Sequence, residues 1–266
     1  MFKPVRFYDS LIHLQNTDTW LETNKSATIE RYVKHNPVLQ SKAIVAKMPK
    51  EEEDYIFNSK YLLNKDVLVF YMLTKNDLSL YEEDWSYFID ILIEKGYKGI
   101  KIHPRMSEIN VATYNLELMM EALRKHKWVL YLCTIHRSPV FPLHVPLHDL
   151  LYNFANKFKK NKIVFLHGGF YDVFAMGEVV RDLPNVLLDL SFTFMRYRKS
   201  SLSLDIGYLF ETLDERVCIG TDYPETTPDV LFASVDKYIL SRKELNISEE
   251  KIDNIFYGNL ERFIDE

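Results

Sequence analysis

Short apolar runs alternate with longer segments of helical periodicity along the whole chain, and this alternation constrains the fold more than any other feature. Most of the runs are continuous stretches of Val, Ile, Leu and Phe rather than strict apolar–polar alternations. Continuous runs are typical of strands that are buried on both faces of a parallel sheet. Eight runs predict strands, at residues 5–8, 43–47, 67–73, 99–102, 129–134, 163–166, 186–190 and 217–219.

The segments between the strands predict helices. Residues 84–95, 114–125 and 147–157 each place apolar side chains on one helical face. The 266 residues accommodate eight strand–helix units at the spacing of βαβ crossovers. We therefore predict an α/β fold, a (β/α)8 TIM barrel formed by a single domain over residues 1–266; an open doubly wound sheet has the same periodicity and stays an alternative. Residues 248–266 predict an N-capped helix and a second short helix that close the barrel.

Charge and hydropathy argue against two classes of partner. The net charge is −5 and the isoelectric point is near 5.9, so we expect no nucleic-acid-binding surface. No apolar run approaches the ~20 residues that span a bilayer, and the first residues do not resemble a signal peptide, so we expect no membrane partner. Cys133 and Cys218 lie inside apolar runs, which indicates reduced thiols and a cytoplasmic location.

Several of the predicted strands end in side chains that bind metals or move protons. These residues are His13 after the first strand, His103 after the fourth, His167 after the sixth and Asp222 after the eighth. In a barrel the strand ends converge on one rim, where barrel enzymes carry their chemistry. Imidazole and carboxylate can hold a divalent cation in three protein bonds, and a carboxylate can take a proton from water.

Each of these residues also has a structural explanation. Asp222 could cap a helix or form a turn before Pro224. His13 and His167 could be buried histidines that are hydrogen-bonded to backbone, and His103 and Arg105 could pair with neighbouring acids. Their joint occurrence at regularly spaced strand ends favours the functional interpretation.

Three arginines follow predicted strands and are expected to reach the same rim. Arg105, Arg137 and Arg196 come after the fourth, fifth and seventh strands. A planar guanidinium suits a carboxylate, so a small-molecule carboxylate substrate is the predicted partner; structural salt bridges explain each arginine nearly as well. Tyr223 is expected to donate a hydrogen bond in the pocket or to line it.

Four segments carry a family resemblance that covers nearly the whole chain. They read GYKGIKIHP at 96–104, KIVFLHGG at 162–169, VCIGTDYP at 217–224 and NIFYGNLERF at 254–263. In this order they resemble the amidohydrolase-2 family of the amidohydrolase superfamily, whose members are distorted TIM barrels. The resemblance implies an amidohydrolase-like barrel, in a family that includes lactonases, other hydrolases and nonoxidative decarboxylases of aromatic or enoic acids.

The resemblance also implies roles for individual residues. His167 would be a metal ligand or the histidine that polarises the substrate, and Asp222 a ligand and the general base. His13 matches the second histidine of the family's strand-one H-x-H pair. Two family positions differ, because the first histidine of that pair is Leu11 here and the strand-five histidine is Cys133. A family-standard mononuclear site therefore cannot form without substitution.

Three outcomes remain open for such a site. His13, His167, Asp222 and Cys133 could form a soft zinc or manganese site. The site could instead be metal-free, as in some lactonases of the family, with Asp222 as base and arginines supplying positive charge; this version is preferred. Thirdly, the chain could be a degenerate barrel that binds a ligand without turning it over. Whatever the outcome, core filling explains Cys133 better than metal binding, because buried cysteine commonly packs as a small hydrophobe.

The leading hypothesis is hydrolysis of a small carboxylated lactone, ester or amide. Asp222 would activate water, His167 would polarise the carbonyl, and His13, His103, Arg105, Cys133, Arg137, Arg196 and Tyr223 would contact the substrate. The enzymatic rival is metal-dependent, nonoxidative decarboxylation of a small unsaturated acid. The non-catalytic rival is a binding protein on a decayed enzyme scaffold. The oligomeric state stays open, although a homodimer is the commonest assembly of such barrels.

Overall fold

A computed structural model of the chain describes residues 2–17, 19–21, 23, 25–49, 52–59, 67–135 and 146–265. Within these ranges eight parallel strands pair in chain order, each beside the next, which confirms the predicted α/β class. The strands are β1 Arg6–Ile12, β2 Gln40–Lys47, β3 Val67–Met72, β4 Gly99–Ile102, β5 Val129–Cys133, β6 Ile163–Leu166, β7 Val186–Asp189 and β8 Val217–Cys218.

The last strand returns to the first and nearly closes the sheet. Ile12 and Tyr223 form a parallel bridge, and the backbone N–H of His13 donates to the carbonyl of Tyr223 at 2.8 Å. Together with the helices between the strands, this closure makes the molecule a TIM barrel, as the sequence predicts, and not an open sheet.

Helices cover the outside of the barrel. The helix predicted at 147–157 has these bounds, and the one predicted at 84–95 is capped by the Asp84 carboxylate. Ser248 caps the first of the C-terminal helices, as predicted. The described α-helices are Ile29–Lys34, Glu53–Ser59, Lys75–Leu80, Trp85–Glu94, Pro104–Ser107, Glu117–Lys125, Leu147–Lys157, Val173–Asp182, Thr193–Tyr197, Leu202–Thr212, Pro228–Val235, Glu249–Asp253 and Asn259–Asp265. π-helical turns at Asp236–Leu240 and Asn254–Gly258 continue two of them. After β6 the chain turns tightly, with positive φ at each residue from His167 to Phe170.

Alternate residues of each strand face the inside of the barrel, where they form a cluster separate from the layer under the helices. On β4 this inner face begins at Gly99, where a Cβ atom would lie 2.6 Å from the Phe70 ring. Lys101 is the next residue on that face, and it is buried. The inner cluster comprises Tyr8, Leu11, Ile44, Ala46, Phe70, Val129, Tyr131, Val164, Leu166, Leu187, Cys218, Tyr257 and Leu260.

The first strand is longer than the apolar run that predicts it. The run ends at Tyr8, whereas β1 continues to Ile12, and its register with β2 shifts between Asp9 and Ile12. This polar extension belongs to a buried hydrogen-bond network, in which Asp9 accepts from the backbone N–H of Thr221 and the Ser10 hydroxyl donates to Asp189. The extension carries His13 to the rim.

None of the helices in the described ranges is long and apolar enough to cross a bilayer. Both cysteines are buried free thiols, as their apolar surroundings predict.

Candidate active site

A cavity of about 200 Å³ lies at the carboxyl ends of the strands. It brings together five of the residues that the sequence singles out: His13, His103, Arg105, His167 and Asp222. Among the residues that the structure describes, the lining is His13, Trp20, Leu21, Met48, Lys101, His103, Arg105, Met106, Ile135, His167, Phe192, Asp222 and Glu225. A larger cavity of about 390 Å³ lies elsewhere, against residues 2–6 and 239–253, and carries no imidazole among its lining residues.

His13 is a neutral imidazole whose tautomer follows from its partners. Its Nδ1 lies 2.7 Å from the carbonyl oxygen of Ala46, which can only accept, so Nδ1 carries the proton. Nε2 therefore accepts, and its donor is Nζ of Lys101 at 3.1 Å. Burial lowers the pKa of His13 well below its usual value, and the positive charge of Lys101 lowers it further. The ring stacks on Trp20.

Lys101 is a site residue that sequence reasoning missed. Its side chain is only 1% exposed, yet it lines the cavity from the inner face of β4. The available signal was a lysine inside an otherwise apolar four-residue strand, with His103 two positions later on the same face. Long charged side chains are almost never fully buried without a partner, so such a lysine points to a site.

His103 has the opposite tautomer. Its Nδ1 accepts the backbone N–H of Met106 at 3.3 Å, because the histidine caps the short helix that follows β4. The proton is therefore on Nε2. Burial lowers the pKa of His103 to about 3, with Lys101 adding to the effect, so the ring is a neutral hydrogen-bond donor.

His167 follows β6 with a positive φ of 68° and is held by the end of β7. Its backbone N–H donates to Asp189 at 3.2 Å. The Ser191 hydroxyl donates to Asp189 and lies 3.2 Å from Nδ1 of His167, so it accepts the Nδ1 proton. Burial lowers the pKa of His167 well below its usual value. Its Nε2 is therefore an acceptor.

Asp222 lies in a left-handed turn after β8, with φ of 48°, a conformation that aspartate tolerates better than most residues. Its Oδ1 is 3.8 Å from Nε2 of His13, and its side chain is 13% exposed. Burial raises the pKa of Asp222 to about 7, although the positive charge of Lys101 acts in the other direction. Such a carboxylate changes protonation state near neutral pH.

Two further aspartates, neither of which was predicted as a site residue, lie beneath the cavity. Asp9 accepts from the backbone N–H and hydroxyl of Thr221 at 2.7 and 2.6 Å and from the Tyr32 hydroxyl at 2.9 Å, and burial raises its pKa to about 7. Asp189 accepts from the hydroxyls of Ser10 and Ser191, and burial raises its pKa. These bonds join β1, β7 and the end of β8 under the catalytic candidates.

Replacing Asp189 by asparagine is expected to lower the free energy of unfolding by about 1–3 kcal/mol, because one buried N–H then lacks an acceptor. Oδ1 accepts the backbone N–H of Ser191 and Oδ2 that of His167. Whichever way the asparagine amide is turned, its NH2 group replaces one of the two acceptor oxygens and faces a backbone N–H that it cannot accept. Urea unfolding compares Asp189→Asn with Asp182→Asn, which changes an exposed aspartate at a helix end. If the two variants unfold at the same urea concentration, the hydrogen bonds of Asp189 do not stabilise the fold as proposed.

Three predicted substrate contacts lie away from the cavity lining. The Tyr223 hydroxyl donates to the carbonyls of Ser26 and Thr28 at 3.2 and 2.8 Å, so it anchors the β1–β2 connection and does not line the pocket. Cys133 borders a smaller neighbouring cavity. Arg196 lies over the rings of Phe170 and Phe192, at 5.8 and 5.9 Å from their centroids, and reaches the cavity only through Phe192, which lines it. Arg137 lies outside the described residues.

The side chains considered as metal ligands do not form a cation site. Among the described residues, no group of three or more His, Cys, Asp or Glu could hold a metal ion. Leu11, at the family's first histidine position, packs in the inner apolar cluster. Cys133 borders the smaller neighbouring cavity and is not among the described residues that line the cavity with His13, His167 and Asp222. The candidate ligands were His13, His167, Asp222 and Cys133.

The contact between His13 and Lys101 is a second obstacle to a metal. The one lone pair that His13 offers, on Nε2, accepts a hydrogen bond from the Lys101 side chain at 3.1 Å. A zinc ion on that nitrogen would need the same lone pair at about 2.0 Å. The residues present therefore do not fit a divalent cation.

The family is established by comparison with known proteins. The amidohydrolase family model matches residues 87–265, which is more than half of the chain. The protein therefore belongs to the amidohydrolase family, as the strand-end motifs indicate. No curated protein matches the sequence.

Solved structures share the fold over nearly the whole chain at low sequence identity. An uncharacterised TIM-barrel protein from Bordetella bronchiseptica is 12% identical, with a TM-score of 0.72 and 98% of each chain covered. A probable 2-pyrone-4,6-dicarboxylic acid hydrolase from Acinetobacter baumannii, with citric acid bound, is 12% identical, with a TM-score of 0.65 and coverage of 98% of this chain and 100% of that one. A 5-carboxyvanillate decarboxylase from Novosphingobium aromaticivorans, in complex with manganese and a nitrobenzoic acid, is 13% identical. Its TM-score is 0.65, and the match covers 98% of this chain and 96% of that one.

Proposed function

We propose that the protein hydrolyses a small carboxylated lactone, ester or amide, with Asp222 as the general base. The observation that carries this proposal is the Asp222 carboxyl in the strand-end cavity, where burial raises its pKa to about 7. A base with a pKa near the working pH combines a usable ionised fraction with a useful proton affinity.

The roles proposed for the side chains near Asp222 follow from whether each can donate or accept a hydrogen bond. Asp222 takes a proton from water as the water oxygen attacks the carbonyl carbon. Lys101 and the Nε2–H of His103 are donors that can stabilise the oxyanion of the tetrahedral intermediate. Collapse of the intermediate breaks the bond to the leaving oxygen or nitrogen, and Asp222 returns the proton to that atom. Arg105, which is exposed at the rim, suits a substrate carboxylate.

The tautomers change the role proposed for His167. From the sequence it was expected to polarise the carbonyl, which requires a donor. The proton of His167 is held on Nδ1 by Ser191, so Nε2 accepts. We therefore propose that His167 accepts a hydrogen bond from the attacking water or a substrate hydroxyl, and that His103 takes the donor role.

The pH dependence of hydrolysis follows from the ionised form of Asp222. The general base must be ionised, and the pKa of Asp222 is raised to about 7, so kcat/KM is expected to rise with pH through about 7 and then level off. The pH–rate profile of the purified enzyme measures this. A profile that is flat between about pH 5 and 9 would contradict a general base with a pKa near 7, since an unperturbed aspartate titrates near 4.

Nonoxidative decarboxylation is the second candidate, and the same carboxyl favours it. With a pKa of about 7, a large part of Asp222 is protonated at neutral pH and can deliver a proton to carbon after CO2 leaves. The decarboxylase among the similar structures makes this reaction relevant. A decarboxylase that uses protonated Asp222 would lose activity as pH rises through about 7, so the direction of the pH profile separates the two reactions.

A substrate screen tests the proposal. The panel consists of small carboxylated lactones and esters, beginning with 2-pyrone-4,6-dicarboxylate, and 5-carboxyvanillate as the decarboxylase substrate. Ring opening with uptake of one water supports hydrolysis, and CO2 release supports decarboxylation. If no compound is turned over, and the Asp222→Asn protein binds the same compounds as the wild type, the protein is a binding protein and the catalytic proposal fails.

A further inference from the structure

We infer that Lys101 is the built-in cation of this site: its charged side chain takes the position beside His13 and Asp222 that a metal ion would need, and it receives the anionic group of the substrate or intermediate. The inference rests on the proposed function and deepens it. It assigns a catalytic role to Lys101 and a metal-independent reaction to the chain.

The position of Lys101 is fixed by the barrel. The residue follows Gly99 on the inner face of β4, and the side chain extends towards the strand ends until Nζ lies 3.1 Å from Nε2 of His13. Asp222 Oδ1 lies 3.8 Å from the same His13 nitrogen. The Nδ1–H of His13 is held by the Ala46 carbonyl at 2.7 Å, so the imidazole is oriented to direct its lone pair at Lys101.

The charges of the described cavity lining support the same conclusion. The three imidazoles are neutral, which leaves Lys101 and Arg105 as the cations. Arg105 is exposed at the rim, whereas Lys101 is 1% exposed. A buried positive charge acts more strongly on a developing oxyanion than an exposed one, because water screens it less. Glu225, which also lines the cavity, is paired with Lys25.

The first test is the Lys101→Met substitution, which keeps most of the length of the side chain and removes its charge. We expect kcat/KM to fall by about 10²–10³-fold, the usual effect of removing one oxyanion donor. Lys98→Met is the matched control, because Lys98 is exposed just before the same strand, and it is expected to keep the wild-type rate. A Lys101→Met protein that folds, as judged by its thermal melting, and keeps more than about a tenth of the rate overturns the inference, since one donor is worth more.

The second test is metal dependence, and it separates this inference from the proposed function. Wild-type protein is dialysed against EDTA, its metal content is measured by mass spectrometry, and turnover is assayed with and without added Zn2+ or Mn2+. Unchanged activity in the metal-free protein supports Lys101 as the cation. Activity that EDTA abolishes and one equivalent of either metal restores overturns the inference while the hydrolase proposal stands.

A third test needs neither turnover nor a folded Lys101 variant. Zn2+ is titrated into wild-type and His13→Gln proteins in competition with a chromophoric chelator. We expect no stoichiometric zinc site that depends on His13, because Lys101 occupies the lone pair. One equivalent of zinc that binds the wild type and is lost in His13→Gln overturns the inference even if the substrate screen finds no reaction.

Discussion

Replacement of Asp222 by asparagine is expected to lower kcat/KM by about 10²–10⁴-fold, the range for removal of a positioned general base. Asparagine has nearly the same shape but cannot take a proton from water. Steady-state assays with the substrate identified by the screen measure the change, and the rise of kcat/KM through about pH 7 should disappear in the variant.

The control for this substitution is Asp182→Asn, which makes the same change at an exposed helix end and should keep the wild-type rate. Asp222 lies in the turn after β8 rather than in the buried hydrogen-bond network of Asp9 and Asp189, so the variant is expected to fold. An Asp222→Asn protein with more than a tenth of the wild-type rate at neutral pH would remove Asp222 from the mechanism.

The substitution with the largest expected effect on stability is Gly220→Ala. Gly220 lies two residues after β8, beside the buried hydrogen-bond network of Asp9 and Asp189. A Cβ atom there would lie 2.3 Å from the Ser10 hydroxyl, 2.6 Å from an oxygen of Asp9 and 2.8 Å from the Ser10 backbone nitrogen. Because backbone and a hydrogen-bonded carboxylate must both move, Gly220→Ala should lower the free energy of unfolding by at least about 2 kcal/mol. Urea unfolding measures this loss.

Gly258→Ala is the matched control. Gly258 lies in a helical segment, and an added Cβ would approach only movable side-chain atoms, 3.0 Å from the end of Arg262 and 3.5 Å from Asn254. Alanine is favoured over glycine in a helix by up to about 1 kcal/mol, so this variant should be as stable as the wild type or slightly more so. If the two alanine variants unfold at the same urea concentration, the close contact at Gly220 is not what the structure implies.

The barrel could be predicted from the sequence because burial on both faces leaves a strong local signal. The apolar runs that predict β3 to β8 begin at the first residue of each strand and end within one residue of its last, whereas the run for β2 misses the first three residues of that strand. The signal failed at β1, where Asp9 and Ser10 interrupt the apolar pattern. Partners on β7 and at the end of β8, more than 170 residues away in the chain, make these polar residues compatible with a buried strand. Local periodicity contains no information about such partners.

The candidate site was predicted in part for the same reason. Strand ends converge in a barrel, so His13, His103, His167 and Asp222 were expected to meet, and they line one cavity. The direction in which each side chain points was harder to predict than its position at a strand end. Tyr223 follows Asp222, yet its hydroxyl bonds to the Thr28 carbonyl in the β1–β2 connection and does not reach the cavity. Lys101 was missed because its burial depends on a histidine from another strand.

The protonation of the histidines could not be predicted from the sequence at all. It depends on which ring nitrogen faces a carbonyl, an amide or a hydroxyl. Ala46, Met106 and Ser191 provide these partners. The resulting tautomers make His103 a donor and His167 an acceptor, whereas the carbonyl-polarising role that was one of the two expectations for His167 needs a donor.

The protonation of Asp222 is the property on which the proposed chemistry depends, and it can be measured directly. The 13Cγ resonance of this carboxyl, assigned in aspartate-labelled protein by its absence from Asp222→Asn, is followed from acid to alkaline pH. A titration midpoint near 7 is expected, because the carboxyl is buried among the strand ends. A midpoint near 4, the value of an exposed aspartate, would contradict the raised pKa from which the pH dependence and the proposed chemistry of Asp222 are argued.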